Sequence, residues 1–259
     1  MLLSRRGALL SLADINATAL AEVAAQAETE RERAEHHTPT TTEQVAQVQP
    51  VFTSVVDVRS AEECNAWIAA TVSHFRQPLS GAANLAGVFG PSIGRAPGAV
   101  RNLDNDEFAW VMDVNVKGTL NCMRAQLAHM QTREGARGRH HGGAIVNASS
   151  VAGISGGPLN GPYVASKHAI VGLTRTAAKE EGERGIRVNA VAPGIIATPM
   201  ITQIEAAVGS KDLVAQGDPG VLGRKGEASE VAEGIVFLLG PQSRFITGVV
   251  LPIDGGWAC

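Results

Sequence analysis

Aromatic residues are scarce in this chain of 259 residues, 4% against 44% hydrophobic residues in all. A core with so few rings must be built from Ala, Val, Leu and Ile, as expected where helices cover both faces of a parallel sheet. Cysteine is sparse as well. Cys64, Cys122 and Cys259 are odd in number and scattered, which argues against a disulfide framework or a metal site and for reduced thiols in a cytoplasmic protein. No run approaches the roughly 18 uninterrupted apolar residues of a membrane span. Net charge is −3 with no basic stripe, so the electrostatic footprint of nucleic-acid binding is missing. Arg5 and Arg6 ahead of the apolar run 8–13 imitate a secretory signal, but that run is at the short limit and Asp14 interrupts it.

What is present is an alternation of short apolar runs and helical patterns. Residues 9–13 read as a buried strand ending at Asp14, 17–27 as a helix, and 51–58 as a strand followed by a helix to about residue 75. A strand and turn at 82–88 and strands at 144–148, 186–192 and 249–253 are interleaved with helical segments at 108–130, 163–182 and 229–239. Such alternation builds βαβ units. The expected fold is α/β, a Rossmann-like doubly wound parallel sheet in a single domain over 1–259. Residues 28–50 are charge-dense and then polar, which predicts a flexible insertion. His36 and His37 within it lack partner ligands and read as loop, so no metal site is expected. Residues 133–143 form a basic, glycine-rich connection.

The chemistry gathers around Tyr163 and Lys167. On a helix, positions i and i+4 share a face, so the phenol and the ammonium can enter one cleft. A free tyrosine ionises near pH ~10 and is a poor base at neutrality; a neighbouring cation lowers that value. Ser150, just past the strand 144–148, offers a hydroxyl to a carbonyl oxygen on which charge develops. Asn115 sits inside the long helical segment, where asparagine is a poor choice because its amide competes for backbone groups; a local kink is predicted there. The strand after 186 ends in Pro193-Gly194, which places Thr198 at the carboxyl edge of a parallel sheet, where ligands of such sheets bind.

Taken together these residues resemble the short-chain dehydrogenase/reductase family, including fungal members, some of which serve secondary metabolism. The resemblance rests on Asn84-Leu-Ala-Gly87, Asn115, Ser149-Ser150, Tyr163-x-x-x-Lys167, Pro193-Gly194-x-Ile196-x-Thr198 and the terminal Asp254-Gly-Gly, and it extends over nearly the whole chain. It implies an NAD(P)-dependent oxidoreductase acting on a small-molecule alcohol or ketone. Tyr163 would be the general acid/base, and Lys167 would lower its pKa and bind the nicotinamide ribose. Ser150 would polarise the substrate oxygen, and Asn115 would hold a water for proton relay. Asn84 would lie against the adenosine, and Ile196 and Thr198 would contact the nicotinamide end. A homo-oligomer, dimer or tetramer, formed through the helices carrying Asn115 and Tyr163 is implied too. Asp14, ending the first visible strand, would hydrogen-bond the adenosine ribose and repel a 2′-phosphate, which favours NAD over NADP; a helix-capping role is its alternative. Asp57 would lie near the adenine.

One part of the family pattern has no counterpart. A first strand followed by Thr-Gly-x-x-x-Gly-x-Gly, the loop that brings a pyrophosphate to a helix N-terminus, is not found in this sequence. The strand would occupy the middle of the sheet. The expectation is therefore an N-terminally truncated sequence. The competing reading is a catalytically impaired or dead family member acting as a binding or scaffold protein; a dehydratase or epimerase on the same fold is a third. Residues 199–222 should form a mobile lid over the substrate. Its Met200, Ile201, Ile204, Val208, Leu213 and Val214 fit a substrate with apolar bulk, or simply the packing of the lid's own helix.

Overall fold

The structure, a computed structural model, describes residues 1–35, 48–132, 142–209 and 220–259. Two strands, β1 (Leu10–Asp14) and β2 (Val51–Val55), pair in parallel. Four more, β3 (Gly81–Asn84), β4 (Ala144–Ala148), β5 (Arg187–Pro193) and β6 (Val250–Ile253), form a second parallel sheet in that order. Between them run α1 (Leu2–Arg5), α2 (Ala17–Glu35), α3 (Ala61–Phe75), α4 (Asn105–Met112), α5 (Gly118–His129), α6 (Gly161–Glu180), α7 (Pro199–Val208) and α8 (Ala228–Leu239).

Adjacent residues of β4 point to opposite faces, and each face has its own core. Ile145 packs with Met123 and Met130 below α5, with Ala177 and Ala178 of α6, and with Val188 of β5. Val146 packs with Val191, Ile235 and Leu238 under α8. Such double coverage is why β4 and β5 read as nearly continuous apolar runs. A third cluster joins α3 to α5 through Val56, Cys64, Ile68, Cys122 and Ala125. Cys64 and Cys122, distant in the sequence, meet here with their sulfurs 3.9 Å apart, and all three cysteines are free thiols.

The sheet is interrupted. Among the described residues, β1 pairs only with β2, and β3 only with β4, so one edge of each faces no strand. Helices nevertheless bridge the two parts: α3 packs on α5, while α1 touches both α2 and α8. Gly81 and Ala83 of β3 are exposed, unlike any residue of β4. The break falls between the first visible strand and the Asn84 strand, where the resemblance places its central strand.

Most predicted elements are observed within a residue or two, with three corrections. The expected insertion at 28–50 does not begin at residue 28, because α2 continues to Glu35. Ser4 Oγ donates to the Ala27 carbonyl, and Glu30 pairs with both Arg5 and Arg33, so charges read as solvated loop are the contacts of a helix. Residues 36–47, including His36 and His37, lie outside the described residues, as do 133–141 and the lid residues Leu213 and Val214. Strand β2 stops at Val55, short of residue 58. The helix predicted over 108–130 is two helices separated by a π-helical turn at Asp113–Lys117, the kink predicted at Asn115.

Candidate active site

Strand β4 delivers Ser150 and helix α6 delivers Tyr163 and Lys167. Helix α6 starts after Asn160 with Pro162 in its first turn, where a missing N–H costs nothing. Its junction with β4 is doubly stitched. Lys167 Nζ donates to the Ala148 carbonyl at 2.9 Å, and Ser149 Oγ donates to the Lys167 carbonyl at 3.0 Å. The turn at Gly153 packs so closely on α6 that a Cβ there would sit 2.7 Å from the Lys167 carbonyl oxygen. Ser150 is buried, its Oγ accepts from Ala152 N–H at 3.2 Å, and it lies close enough to Tyr163 to favour the phenolate. The Lys167 ammonium stands 5.4 Å from the centre of the Tyr163 ring. Serine, tyrosine and lysine are thus brought together as the sequence predicted.

Their electrostatics differ from the expectation. Burial raises the Tyr163 phenol above its ordinary value, and Ser150 offsets only part of that. Lys167 is itself pushed down to about 8 by burial. The ammonium lies over the ring, with its hydrogen bond spent on the Ala148 carbonyl. Burial is thus the larger influence on each group: it raises the phenol and lowers the ammonium.

Asn115 is fully buried, and its amide is already spent. It donates to the Val88 carbonyl at 2.8 Å and to Ser166 Oγ at 2.9 Å, and its Oδ1 accepts from Val88 N–H at 2.8 Å. With both donors committed, this amide clamps the loop after β3 onto α6. Ser166, which the sequence reading passed over, completes the clamp by donating to the Tyr163 carbonyl at 2.8 Å. Gly87 is the second residue missed for a role of its own: a Cβ there would lie 3.4 Å from Lys167 Nζ and 3.3 Å from Asn115 Oδ1, so its absence leaves an open cradle before the lysine.

The expected cofactor contacts divide. Asn84 turns inward. Its amide exchanges hydrogen bonds with Gln126 at 2.7 and 3.0 Å and donates to Asn147 at 2.9 Å, which in turn donates to Thr174. This network ties β3 and β4 to α5 and α6. Asp57 is gripped by Arg59, whose guanidinium holds its carboxyl below the usual range. Asp14 stands exposed at the end of β1, paired with Val55 at the end of β2, and its Oδ1 accepts from Asn16 N–H at 2.8 Å. Asn16, not Asp14, accepts from Ala19 N–H at the start of α2. Ile196 bridges to Gly226, and Thr198 opens α7 with its Oγ1 3.2 Å from the Ile196 carbonyl.

A tyrosine, a serine and a buried lysine meet at the carboxyl edge of a parallel sheet, an arrangement chemically able to move a proton at an alcohol or carbonyl oxygen. Comparison with known proteins agrees with that class. Residues 7–258 match the family model described as enoyl-(acyl carrier protein) reductase. The short-chain dehydrogenase/reductase aba4 of Botryotinia fuckeliana (strain B05.10) is 45% identical over 260 residues, covering 100% of this chain and 90% of that one. The 2,5-dichloro-2,5-cyclohexadiene-1,4-diol dehydrogenase of Sphingobium indicum (strain DSM 16412 / CCM 7286 / MTCC 6364 / B90A) is 40% identical over 202 residues, 78% of this chain and 75% of that one. Among solved structures, NAD+-bound xylitol dehydrogenase superposes with a TM-score of 0.77 at 29% identity, covering 98% of this chain and 91% of that one. The chain belongs to the short-chain dehydrogenase/reductase family. It is an oxidoreductase with a Rossmann-like fold, and among its described residues no helix is long and apolar enough to cross a membrane.

Proposed function

We propose that this protein interconverts a secondary alcohol and a ketone by hydride transfer with NAD(P), with NAD favoured. The observation that carries the reading is the meeting of Ser150, Tyr163 and the buried Lys167, whose ammonium stands 5.4 Å from the centre of the Tyr163 ring. A nicotinamide dinucleotide, when bound, supplies and accepts the hydride. The residues present fit its nicotinamide end: Gly87 leaves the space a Cβ would fill, the Lys167 cation stands beside that space, and Thr198 carries a hydroxyl at the start of α7. Asp14 offers a carboxylate to ribose hydroxyls and would repel an added phosphate. The pyrophosphate end has no matching glycine-rich turn in this sequence.

The protein's own part is proton transfer and positioning. In the reducing direction the neutral Tyr163 hydroxyl donates its proton to the substrate oxygen, and Ser150 holds that oxygen as charge develops. A phenol kept protonated by burial suits this acid step. In the oxidising direction Tyr163 must accept the proton, and the Lys167 cation over its ring stabilises the resulting phenolate. Asn115 and Ser166 hold α6 and the loop after β3 in register, so the three groups keep their geometry. Single-turnover measurements with NADH and a ketone panel test the proposal; loss of turnover in Tyr163→Phe is expected, and near-normal turnover would refute the assignment.

The interrupted sheet favours a second reading, a family member impaired in cofactor binding that acts as a binding or scaffold protein. NADH fluorescence titration separates the two: saturable binding supports the enzyme, and none at millimolar NADH supports the scaffold.

A further inference from the structure

Gly87 and Val88 do not only face the lysine. They form the inner end of a cleft of about 800 Å3 that runs outward between the loop after β3, helix α4 and helix α7. Val88 is held in place there by its two hydrogen bonds to the Asn115 amide. The walls are apolar: Phe89 and Val88 from the loop, Trp110 from α4 and Met200 from α7. Trp110 is a large ring left 40% exposed on a helix whose Val111 is wholly buried. Its placement on the cleft gives that exposure a reason. The volume lies within the roughly 300–1,000 Å3 typical of small-molecule sites.

The charge of the cleft is one-sided. Among the described residues that line it, the ionisable ones are Asp104 and Glu107. Both carboxylates are held in position: Asp104 Oδ1 accepts from Glu107 N–H at 2.9 Å, and Glu107 Oε1 accepts from Ser92 Oγ at 2.7 Å and Ser92 N–H at 3.1 Å. Two fixed negative charges in a partly enclosed apolar space repel an anionic substrate tail.

We infer that the cleft between α4 and α7 receives a neutral, apolar alcohol or ketone of ring size, with Trp110 and Met200 setting that preference and Asp104 and Glu107 rejecting carboxylated or phosphate-bearing substrates. The inference rests on the alcohol/ketone reading of the site, and it separates this chain from enzymes whose substrates ride on a phosphate-bearing carrier arm.

The test uses the full chain and three probes: a decalone (a neutral bicyclic ketone), a ring-carboxylated decalone, and acetone. Wild-type kcat/KM is expected to favour the neutral decalone over the carboxylated one by at least about tenfold, since a pocket contact of this kind is worth that factor or more. Trp110→Ala should lose at least about tenfold more on decalone than on acetone, mainly through KM. Glu107→Gln should narrow the gap between the two decalones. Decalone binding is also read without turnover, as saturable quenching of tryptophan fluorescence that Trp110→Phe removes. Equal use of both decalones, or unchanged selectivity in Trp110→Ala with turnover intact, overturns the inference and leaves the alcohol/ketone reading standing. Trp110-dependent binding with no turnover in wild type upholds the cleft and defeats that reading. A change in oligomeric state of Trp110→Ala without a change in selectivity assigns the face to contact between copies of the chain and overturns the inference.

Discussion

The Lys167 ammonium stands 5.4 Å from the centre of the Tyr163 ring and hydrogen-bonds the carbonyl of Ala148 at 2.9 Å. The cation is therefore close enough to stabilise a phenolate but is anchored to the end of β4. Burial disfavours charge on both partners, and each consequence can be measured separately.

Tyr163 is the only tyrosine in the chain, so its ionisation can be read directly from ultraviolet absorbance. Because burial raises it, the midpoint is expected above the ordinary ~10. Ser150→Ala should move it further up, since Ser150 favours the phenolate. A midpoint below that of free tyrosine would show that the lysine dominates after all.

Lys167 links activity to stability. Its folded-state pKa of about 8 lies below the unfolded value of 10.5. Below pH 8 both states carry the charge, and the folded state bears its full burial cost. Between about 8 and 10.5 the unfolded state holds more protons, so this group makes stability rise with pH in that window. Lys167→Met removes the cost and is expected to stabilise the fold near neutrality by up to roughly 3 kcal/mol, at ~1.36 kcal/mol per pKa unit. It should also abolish turnover. Urea denaturation of both proteins at pH 7 checks it; equal midpoints would show that the site relaxes around the ion.

Arg187 presents the opposite case. Its guanidinium, buried at the start of β5, donates to the carbonyls of Leu238, Leu239, Gly240 and Ile246. Three of these close the C-terminal end of α8, where helix carbonyls lack intrahelical partners. Arg187→Leu takes the side-chain partner from the Leu239 carbonyl, while Leu238 and Gly240 keep Ser243 and Ile246 keeps Asn189, and it is expected to destabilise by about 1–3 kcal/mol, as for one buried group left unpaired. Thermal unfolding by circular dichroism measures the loss.

Asp14 is the specificity test. With its carboxylate exposed at the end of β1, Asp14→Ser is expected to weaken NADH binding modestly and relieve repulsion of the NADPH phosphate, shrinking the NAD preference. Isothermal titration with both dinucleotides checks the ratio; an unchanged ratio removes Asp14 from the cofactor site.

Periodicity made the strands around Ile145, Val188 and Leu251 legible, because each apolar run has a helix on either face to explain it. The motif spacing likewise anticipated that Ser150, Tyr163 and Lys167 would converge, and the misplaced Asn115 announced the π turn. What the sequence obscured was how polar side chains divide their hydrogen bonds. Asn84 and Asn115 carry the same amide at family positions. Yet Asn84 faces Gln126 and Asn147, and Asn115 faces Val88 and Ser166, and only packing decides which partners are in reach. The charged stretch at Glu30 was misread for a related reason: its partner Arg5 lies on a different helix.

The order of residues alone determined the fold class and the choice of Tyr163, Ser150 and Lys167, since periodicity and fixed spacing survive without coordinates. The tertiary structure alone decided the rest. It placed Lys167 over the ring, bonded it to Ala148, and buried it enough to lower its own pKa. These outcomes depend on burial and on which backbone groups remain unpaired. Both are properties of the packed chain and have no signature in local sequence.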